Sequence, residues 1–370
     1  MQRIVVSVTN DLITDQRVHK ICSTLVDMNF EILLIGRILP SSLSLSRNYK
    51  TFRMKLLFNS GFLFYAEYNL RLFFKLIFLK KDILLSNDLD TLLPNFLISK
   101  LTGKKLVYDS HELFTEIPEL IDRPKVQKVW LLIENYIFPK LKNIYTVNNS
   151  IARFYKQKYH VDVKVVRNIA PKLINKTADI NLSKQIKGDK RMLILQGSGI
   201  NINRGAEEAV EMMQFLEETI LYIIGGGDIY NKLKDLVCRL KLENSVIFKD
   251  MIPYEELIEY TKIADLGLSL DMGSNLNYEY SLPNKIFDYI QAHTPLLVSN
   301  RKEVAALVTS ENIGMVINTH DPKIMADHVK GIFSNNEKYL IYKQNLIRAS
   351  KKYSWEVEQE KVKETFRNLK

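Results

Sequence analysis

The sequence predicts an α/β protein built from two doubly wound parallel sheets. Along its 370 residues, short apolar runs alternate with longer helical patterns, as in successive βαβ units. The runs are apolar almost throughout, which indicates parallel strands that helices cover on both faces. The chain is 46% hydrophobic and is longer than an ordinary domain with a single hydrophobic core, so we expect two domains.

The first series of strands and helices fills the first 170 residues. The pattern predicts strands over residues 3–8, 31–37, 82–87, 105–109, 143–147 and 163–168. Asp15 suits the N-cap of a helix over residues 16–27, and a further helix is predicted over 126–142. Residues 169–190 lack a long apolar run, so we interpret them as an interdomain linker with room for a short helix.

A second series of the same kind follows the linker. Its strands are predicted over residues 191–197, 219–225, 245–250, 266–270, 295–300 and 314–318. Its helices are predicted over residues 206–216, 254–264 and 283–292, and the tail over 337–370 is predicted to be wholly helical. The domains are therefore predicted as residues 1–170 and 171–350, followed by a terminal helix over 351–370. A cleft between the domains is the expected ligand site, because strand carboxyl ends and helix N-termini line it.

The charge distribution narrows the choice of partner. A formal charge of +10 is compatible with nucleic acid, an anionic membrane or a phosphorylated substrate. Residues 44–81 carry eight Lys or Arg residues interleaved with phenylalanine and tyrosine, and Glu67 is their one acidic residue. This mixture suits the headgroup region of a membrane, and a core helix with solvated lysines explains it equally well. The chain contains no helix-turn-helix, zinc-ligand or RNP-type pattern, so we expect no nucleic-acid partner.

The cysteines and the hydropathy favour a cytoplasmic protein. Cys22 and Cys238 lie far apart and outside any CxxC pair, which argues against a disulfide framework or a zinc site. No uncharged apolar stretch approaches the roughly 18 residues that a spanning helix needs, and we expect no secretory signal.

A glycine-rich turn joins the first strand of the second series to its helix. Gly197, Ser198 and Gly199 would let a ligand approach the backbone, and the following helix N-terminus offers N–H groups and partial positive charge. Arg204 lies at the positive end of the helix dipole, which does not stabilise a cation. The arrangement is explained if Arg204 and the helix N-terminus bind the same anion. A plain loop with a solvent-facing arginine is the alternative.

A second candidate for phosphate binding begins another helix in this half. Pro283 suits the first helical position, with Ser281 or Leu282 as the cap. Lys285 lies in the first turn, and Asp288 is three residues on and shares its face. The helix end would offer an ammonium to phosphate and a carboxylate to sugar hydroxyls, as a nucleoside diphosphate requires. An exposed Lys–Asp pair is the alternative.

Polar residues also follow predicted strands in the first half. His111 stands at a strand end between Asp109 and Glu112, and this position favours a role in the cleft. Asp88 and Asp90 end the previous strand in the same way, although Asp90 also suits a helix cap. Asn10 and Arg17 lie just past the first strand, and together with Asp88 they are the residues that we expect on the acceptor side.

In these motifs the chain resembles the retaining glycosyltransferases of the GT-B fold, the family 4-like bacterial glycosyl transferases of group 1. The resemblance extends over nearly the whole length and is strongest over residues 281–290. The other matching segments are residues 15–18, 87–90, 108–112, 196–197, 204–205 and 353–356. The last of these resembles the segment where a terminal helix packs back on the N-terminal domain.

The resemblance implies a role for each matching residue. Arg204 and Lys285 would hold the donor diphosphate and stabilise it as a leaving group, with no metal or other cofactor. Asp288 would bind the ribose hydroxyls, and Ile252 would lie against the nucleobase. His111 would lie beside the anomeric centre of the transferred sugar.

The donor-binding segment also departs from the family pattern. The resemblance implies that the backbone over residues 281–283 approaches the phosphates and the donor sugar. Family members often carry a Glu-x7-Glu pair across this helix, and Asp288 stands at the second position here. Tyr280 stands at the first, so Glu279 would reach the sugar only if the loop shifted register.

The resemblance therefore implies transfer of a sugar from a nucleotide-diphosphate donor with retention of configuration. We expect a saccharide or lipid-linked acceptor, a role in cell-envelope, capsule or other surface polysaccharide synthesis, and peripheral attachment to the inner face of the membrane. Two alternatives stay open: a nucleotide-sugar epimerase, which needs no acceptor, and a non-catalytic partner that only binds sugar nucleotide. The missing GxGxxG fingerprint disfavours a nicotinamide dehydrogenase.

Overall fold

The computed structural model describes residues 1–13, 15–40, 42–173, 177–273 and 275–369, and the chain divides into two compact units. The first unit comprises Met1–Asn168 and Glu358–Lys370, and the second comprises Ile169–Val357. The predicted boundaries lie at residues 170 and 350. Residues 174–176 of the predicted linker and Lys370 of the predicted terminal helix lie outside the described ranges.

The first unit is built on a parallel sheet of seven strands in the order β3-β2-β1-β4-β5-β6-β7. The strands are β1 Arg3–Asp11, β2 Glu31–Ile38, β3 Lys50–Lys55, β4 Ile83–Asn87, β5 Lys105–Ser110, β6 Asn143–Thr146 and β7 Lys164–Val165. The helices are α1 Gln16–Asp27, α2 Gly61–Phe78, α3 Leu89–Thr102, α4 Pro118–Ile121, α5 Pro124–Ile137 and α6 Asn149–Tyr159.

The second unit repeats this plan with six parallel strands in the order β10-β9-β8-β11-β12-β13. The strands are β8 Arg191–Gly197, β9 Thr219–Gly225, β10 Val246–Lys249, β11 Leu266–Ser269, β12 Leu296–Ser299 and β13 Gly314–Ile317. The helices are α7 Ile180–Lys187, α8 Ala206–Met212, α9 Tyr230–Leu240, α10 Tyr254–Ile263, α11 Leu276–Glu279, α12 Asn284–Gln291, α13 Lys302–Glu311, α14 Pro322–Ser334 and α15 Asn336–Lys352.

The strand interiors are buried, as their continuous apolar pattern predicts. β1 pairs in parallel with β4, and Ile4 lies opposite Ile83 with both side chains fully buried. In the second unit, two apolar clusters lie against the sheet. The Asp15 carboxylate accepts from the backbone N–H of Val18 at 3.0 Å, so the predicted N-cap of α1 is confirmed.

The sequence prediction missed one strand and joined two helices. β3 alternates charged and apolar residues at an exposed edge of the sheet, so it lacks the apolar run of the buried strands. The predicted tail helix is broken, because α15 ends at Lys352 and α16 occupies Trp355–Arg367. At the break, the buried Gln291 amide donates to the carbonyls of Ser350 and Tyr353, which satisfies two backbone acceptors.

The end of α16 packs on the first unit, as predicted. The ring of Phe366 is fully buried and meets Phe30 edge to face, with the ring centroids 6.1 Å apart. The Glu358 carboxylate accepts from the backbone N–H of Arg167 at 2.8 Å. None of the described helices is both long and apolar enough to cross a bilayer.

Two neighbouring strand ends of the second unit touch through their backbones. Gly225 ends β9 with φ of +140°, and a Cβ there would lie 1.8 Å from the carbonyl oxygen of Gly197. Only glycine allows β8 and β9 to end this close together.

Gly225→Ala should therefore lower the free energy of unfolding by more than about 2 kcal/mol, because strain and overlap add. Denaturant unfolding followed by circular dichroism measures the change. Gly331→Ala is the matched control: it lies inside α14 with open space around the added methyl, and should stabilise by up to about 1 kcal/mol. Equal effects of the two substitutions would contradict the close approach.

Candidate functional site

The glycine-rich turn after β8 is anchored at both ends in the second unit. The backbone N–H of Ile200 donates to the Gly226 carbonyl at 2.9 Å, and that of Met272 donates to the Asn203 carbonyl at 2.8 Å. Gly205 has φ of +73°, and a Cβ there would lie 2.3 Å from the Leu270 carbonyl oxygen. The predicted residues Gly197, Ser198 and Gly199 thus lie at the carboxyl end of β8, where Ser198 and Gly199 are exposed.

Arg204 contacts a buried carboxylate, and Lys285 lies near enough for the same carboxylate to influence its pKa. The Arg204 guanidinium contacts Asp271 at 3.0 Å and lies over the Tyr278 ring, 4.3 Å from its centroid, while its Nε is buried without a partner. Burial lowers the pKa of the Lys285 ammonium; Asp271 opposes this effect, and Arg204 adds to it. Lys285 makes no ion pair with any described residue. Two positive charges around one carboxylate leave this site net positive.

Asp271 was not among the predicted site residues. Its side chain is 2% exposed, and it follows β11 by two residues, so its position after a predicted strand was the available signal. Arg301 holds this turn, because its Nε donates to the Asp271 carbonyl at 2.9 Å and its Nη2 donates to the Met272 carbonyl. Arg204 therefore holds the side chain of Asp271, and Arg301 holds the backbone of the same turn.

The segment before α12 engages the predicted sugar-side residues within the fold. The Glu279 carboxylate pairs with Arg301 at 3.0 Å. The Lys302 ammonium lies over the Tyr280 ring, 5.0 Å from its centroid. Ser281 Oγ donates to the Tyr278 carbonyl at 2.9 Å. Glu279 is therefore held by Arg301 through one of its carboxylate oxygens.

The start of α12 differs from the prediction by one residue. The helix begins at Asn284, and Pro283 is its N-cap with φ of −62° and ψ of +143°. Neither Ser281 nor Leu282 caps it: the Ser281 hydroxyl serves the preceding turn, and Leu282 packs against the apolar core. No side chain caps the N-terminus, and in its first turn the N–H of Ile286 donates to the Pro283 carbonyl at 3.1 Å.

Asp288 is the centre of a hydrogen-bonded set. It accepts from the Tyr254 hydroxyl at 3.1 Å and from Gln196 Nε2 at 3.3 Å. The Thr261 hydroxyl donates to Gln196 Oε1 at 2.8 Å, and this bond turns the amide nitrogen towards Asp288. Ile252 lies two residues before Tyr254, so the predicted nucleobase and ribose contacts are near neighbours.

In the first unit, His111 lies between two carboxylates at the edge of the sheet. Its backbone N–H and its Nδ1 contact Asp88 at 2.8 and 3.1 Å, and its Nε2 lies 3.3 Å from Asp109. Burial alone would lower the pKa of His111, but the two carboxylates raise it to about 9. Asp88 has φ of +54°, a strained conformation for a residue other than glycine. The raised pKa favours the imidazolium form of His111, and burial raises the pKa of its partner Asp88 to about 8.

The neighbouring acids differ in their protonation. Burial raises the pKa of Asp90, which accepts from the Thr9 hydroxyl, to about 7. Burial acts the same way on Asp109, but the charges of Arg17 and His111 lower its pKa below the ordinary value. Within the described ranges, no group of three or more His, Cys, Asp or Glu residues is arranged to hold a metal ion.

The position of Arg17 disagrees with the predicted acceptor contact. Its side chain is 3% exposed, and two guanidinium nitrogens bind Asp109 at 2.6 and 3.0 Å. A third nitrogen donates to the Val166 carbonyl at 2.9 Å. Arg17 therefore has a structural role, whereas the predicted Asn10 is exposed and its amide donates to Asp15 at 3.2 Å.

The second unit matches a family of known proteins. Residues 179–352 match the model described as glycosyl transferases group 1. The second unit therefore resembles a sugar-transferring domain. The matched segment contains Arg204, Asp271 and Lys285 together with the glycine-rich turn. No curated protein matches the chain.

Solved structures match the chain along its length. Sucrose-phosphate synthase (tll1590) from Thermosynechococcus elongatus has a TM-score of 0.82 at 14% identity, over 100% of this chain and 99% of that one. Alr3699/HepE from Anabaena, solved with UDP-glucose, has a TM-score of 0.74 at 13% identity, over 100% of both chains. WaaG, a glycosyltransferase involved in lipopolysaccharide biosynthesis, has a TM-score of 0.75 at 14% identity, over 97% and 98%. These likenesses confirm the predicted GT-B fold.

Arg17→Met should lower the free energy of unfolding by about 3–5 kcal/mol, because the substitution leaves Asp109 buried without its guanidinium partner. Denaturant unfolding measures the loss. Lys164→Met is the matched control: it removes an exposed pair with Glu364 and should cost less than about 1 kcal/mol. Unchanged stability with weaker use of acceptor would restore the predicted acceptor contact.

The charge on His111 should make stability depend on pH in one direction. Its pKa is about 9 in the fold and about 6.5 when unfolded, so its contribution is complete below about pH 6.5 and is lost as the pH rises through about 9. The unfolding free energy of the wild type and of His111→Gln, measured from about pH 6 to about pH 10, should converge with rising pH. An imidazole that titrates below about 6.5 by NMR contradicts this.

Proposed function

We propose that the protein transfers a sugar from a nucleotide-diphosphate-sugar donor to an acceptor, with retention of configuration and without a metal ion. The observation that carries this proposal is the ion pair of Arg204 with the buried Asp271 in the second unit, with the Lys285 ammonium within the electrostatic influence of both. Two cations against one carboxylate, near an uncapped helix start, favour a diphosphate. The match of residues 179–352 to glycosyl transferases group 1 supports the same chemistry.

The reaction requires charge stabilisation on the leaving group. As the bond from the anomeric carbon to the diphosphate breaks, negative charge grows on the departing oxygen and positive charge grows on the sugar. Preorganised cations lower that barrier, since they need little rearrangement during the reaction. In the proposed retaining path, the acceptor oxygen bonds to the anomeric carbon on the same face, and its proton passes to the departing phosphate oxygen.

The remaining predicted residues receive roles that fit their protonation and contacts. Because the pKa of His111 is raised to about 9, we propose that it donates to a hydroxyl of the transferred sugar rather than acting as a base. Asp288 would accept from the ribose hydroxyls in place of the Tyr254 hydroxyl, which it binds now. Ile252 would lie against the nucleobase.

The acceptor and the cellular setting are proposed from two structural neighbours and from one basic segment of the chain. Alr3699/HepE binds UDP-glucose and WaaG acts in lipopolysaccharide biosynthesis, and both share the fold of this chain. We therefore propose a saccharide or lipid-linked acceptor in surface polysaccharide synthesis, at the cytoplasmic face of the membrane. The basic and aromatic residues over 44–81 support that location.

A non-catalytic sugar-nucleotide-binding partner is the second candidate. It is favoured by Tyr280, which stands where the family often has a glutamate, and by the pairing of Glu279 with Arg301. Such a protein would bind nucleotide but never consume the donor. An epimerase would instead convert the donor when no acceptor is present.

Lys285→Ala and Arg204→Ala should each reduce turnover by about 100-fold or more, because each removes a charge that stabilises the leaving group. Donor consumption, measured with and without acceptor, tests this. Lys232→Ala, which removes an exposed cation of α9, is the matched control and should change little. Turnover near that of the wild type in either variant would contradict the phosphate-binding assignment.

The donor base is tested by melting temperature against UDP, GDP, ADP, TDP and CMP, each with and without EDTA. A ligand that binds only the folded protein raises its melting temperature. One diphosphate should do so regardless of EDTA, and Lys285→Ala should abolish the shift. No shift with any nucleotide contradicts the proposed donor site, and a shift without donor consumption favours the non-catalytic partner.

A further inference from the structure

Helix α2 is apolar on two opposite faces. Its inward face consists of Phe64, Tyr68, Leu72 and Leu76, which recur at every fourth residue and are at least 95% buried. These four side chains account for the packing of α2 on the sheet. An amphipathic helix at a protein surface would carry polar residues opposite such a row.

The opposite side of α2 is apolar and exposed. We call the residues Leu63, Leu70, Phe74 and Ile77 the outer face of α2; they are 52%, 59%, 53% and 40% exposed. The rings at the two ends of the helix, those of Phe62 and Phe78, are 70% and 84% exposed. An exposed apolar face of this kind marks a contact with another apolar body.

The neighbouring helices extend this surface. The crossovers from β3 to β4, β4 to β5 and β5 to β6 run in one direction across the sheet, so right-handed connections put α2, α3 and α5 on the same side. Contacts between Tyr65 and Trp130 and between Phe96 and Tyr136 join the three helices into a layer. Further exposed apolar residues of this layer are Leu97, Leu101, Val129 and Leu132.

The charges around the outer face are positive. Residues 55–81 contain five Lys or Arg residues and one acidic residue, Glu67; of the five, Lys81 is buried and donates to the carbonyls of Leu76 and Leu79. The Glu67 carboxylate accepts from the backbone N–H groups of Leu57 and Phe58 at 3.0 Å and pairs with Arg71 at 2.7 Å. Its charge is therefore engaged within the fold, and the surroundings stay basic.

We propose that the outer face of α2, with its neighbours on α3 and α5, docks on an anionic lipid bilayer. Phenylalanine and leucine would enter the boundary between headgroups and acyl chains, and Lys55 and Lys80 would meet lipid phosphates. Charge complementarity selects this occupant over a second copy of the chain, because a twofold contact through this face would bring like charges together.

The position of α2 connects this surface to the polar edge of the first unit. The Tyr68 hydroxyl donates to the Val8 carbonyl, and the Asn69 amide donates to the Asp90 carbonyl at 2.8 Å. Helix α2 is thus bonded to the ends of β1 and the start of α3, beside the strand ends that hold His111. This deepens the proposed function, on which it rests, by assigning the acceptor to a membrane lipid.

Binding to vesicles tests the docking surface without catalysis. The wild type should sediment with phosphatidylcholine vesicles that contain about 30% phosphatidylglycerol in about 0.1 M salt, and binding should weaken at about 1 M. The variant Leu70→Ser/Phe74→Ser/Ile77→Ser should bind at least about tenfold more weakly, because it removes three large apolar side chains. Its melting temperature should stay that of the wild type, since all three are exposed.

The matched control is Leu340→Ser/Ile341→Ser/Ile347→Ser, which removes three comparably exposed apolar residues of α15 and should bind vesicles as the wild type does. Wild-type protein that ignores anionic vesicles, or a triple α2 variant that still binds them, overturns the proposal. Dimerisation lost in the α2 variant, with no vesicle binding, would assign the face to a second copy instead. If the protein binds vesicles but no nucleotide raises its melting temperature, the proposed function is contradicted and the proposed docking surface is not.

Discussion

In a parallel sheet the carboxyl ends of all strands lie on the same side of the sheet. This constraint decides where the polar residues of each unit meet. The turns after β8 and β11 lie far apart in sequence, yet their shared edge brings Arg204 within 3.0 Å of Asp271. In the first unit, the ends of β4 and β5 likewise bring Asp88 and His111 together. Apolar strand interiors therefore hold the sheets, and the residues just past them supply the chemistry.

The two edges carry opposite charge balances. In the second unit, one buried carboxylate is set against two cations, Arg204 and Lys285, which suits an anionic ligand. In the first unit, His111 is set between Asp88 and Asp109, and these two acids raise the pKa of the imidazole to about 9. The proposed transfer would use the positive charge of the second unit to receive a diphosphate.

The sequence was most informative where local rules decide the structure. Continuous apolar runs predicted twelve of the thirteen described strands, and β3 escaped because an exposed edge strand needs no such run. The glycine-rich turn predicted that Gly197 lies at the end of β8, and the signals of a helix start predicted that Lys285 lies in the first turn of α12. Pairings between distant segments were beyond these rules, since nothing near Arg17 shows that its guanidinium binds a carboxylate 92 residues later. Asp271 was missed for the same reason, because its importance lies in which cations surround it.

Helix α2 shows a further limit of periodicity. The pattern of residues 61–78 places apolar residues on two opposite faces of the helix, and both a buried core helix and a helix at a lipid surface show such a pattern. The structure separates the two, because the sheet covers only the side of Phe64, Tyr68, Leu72 and Leu76. The exposed side cannot be explained by packing within the first unit, and its basic surroundings disfavour self-association. An anionic lipid bilayer would accommodate both the exposed apolar side chains and the basic residues around them.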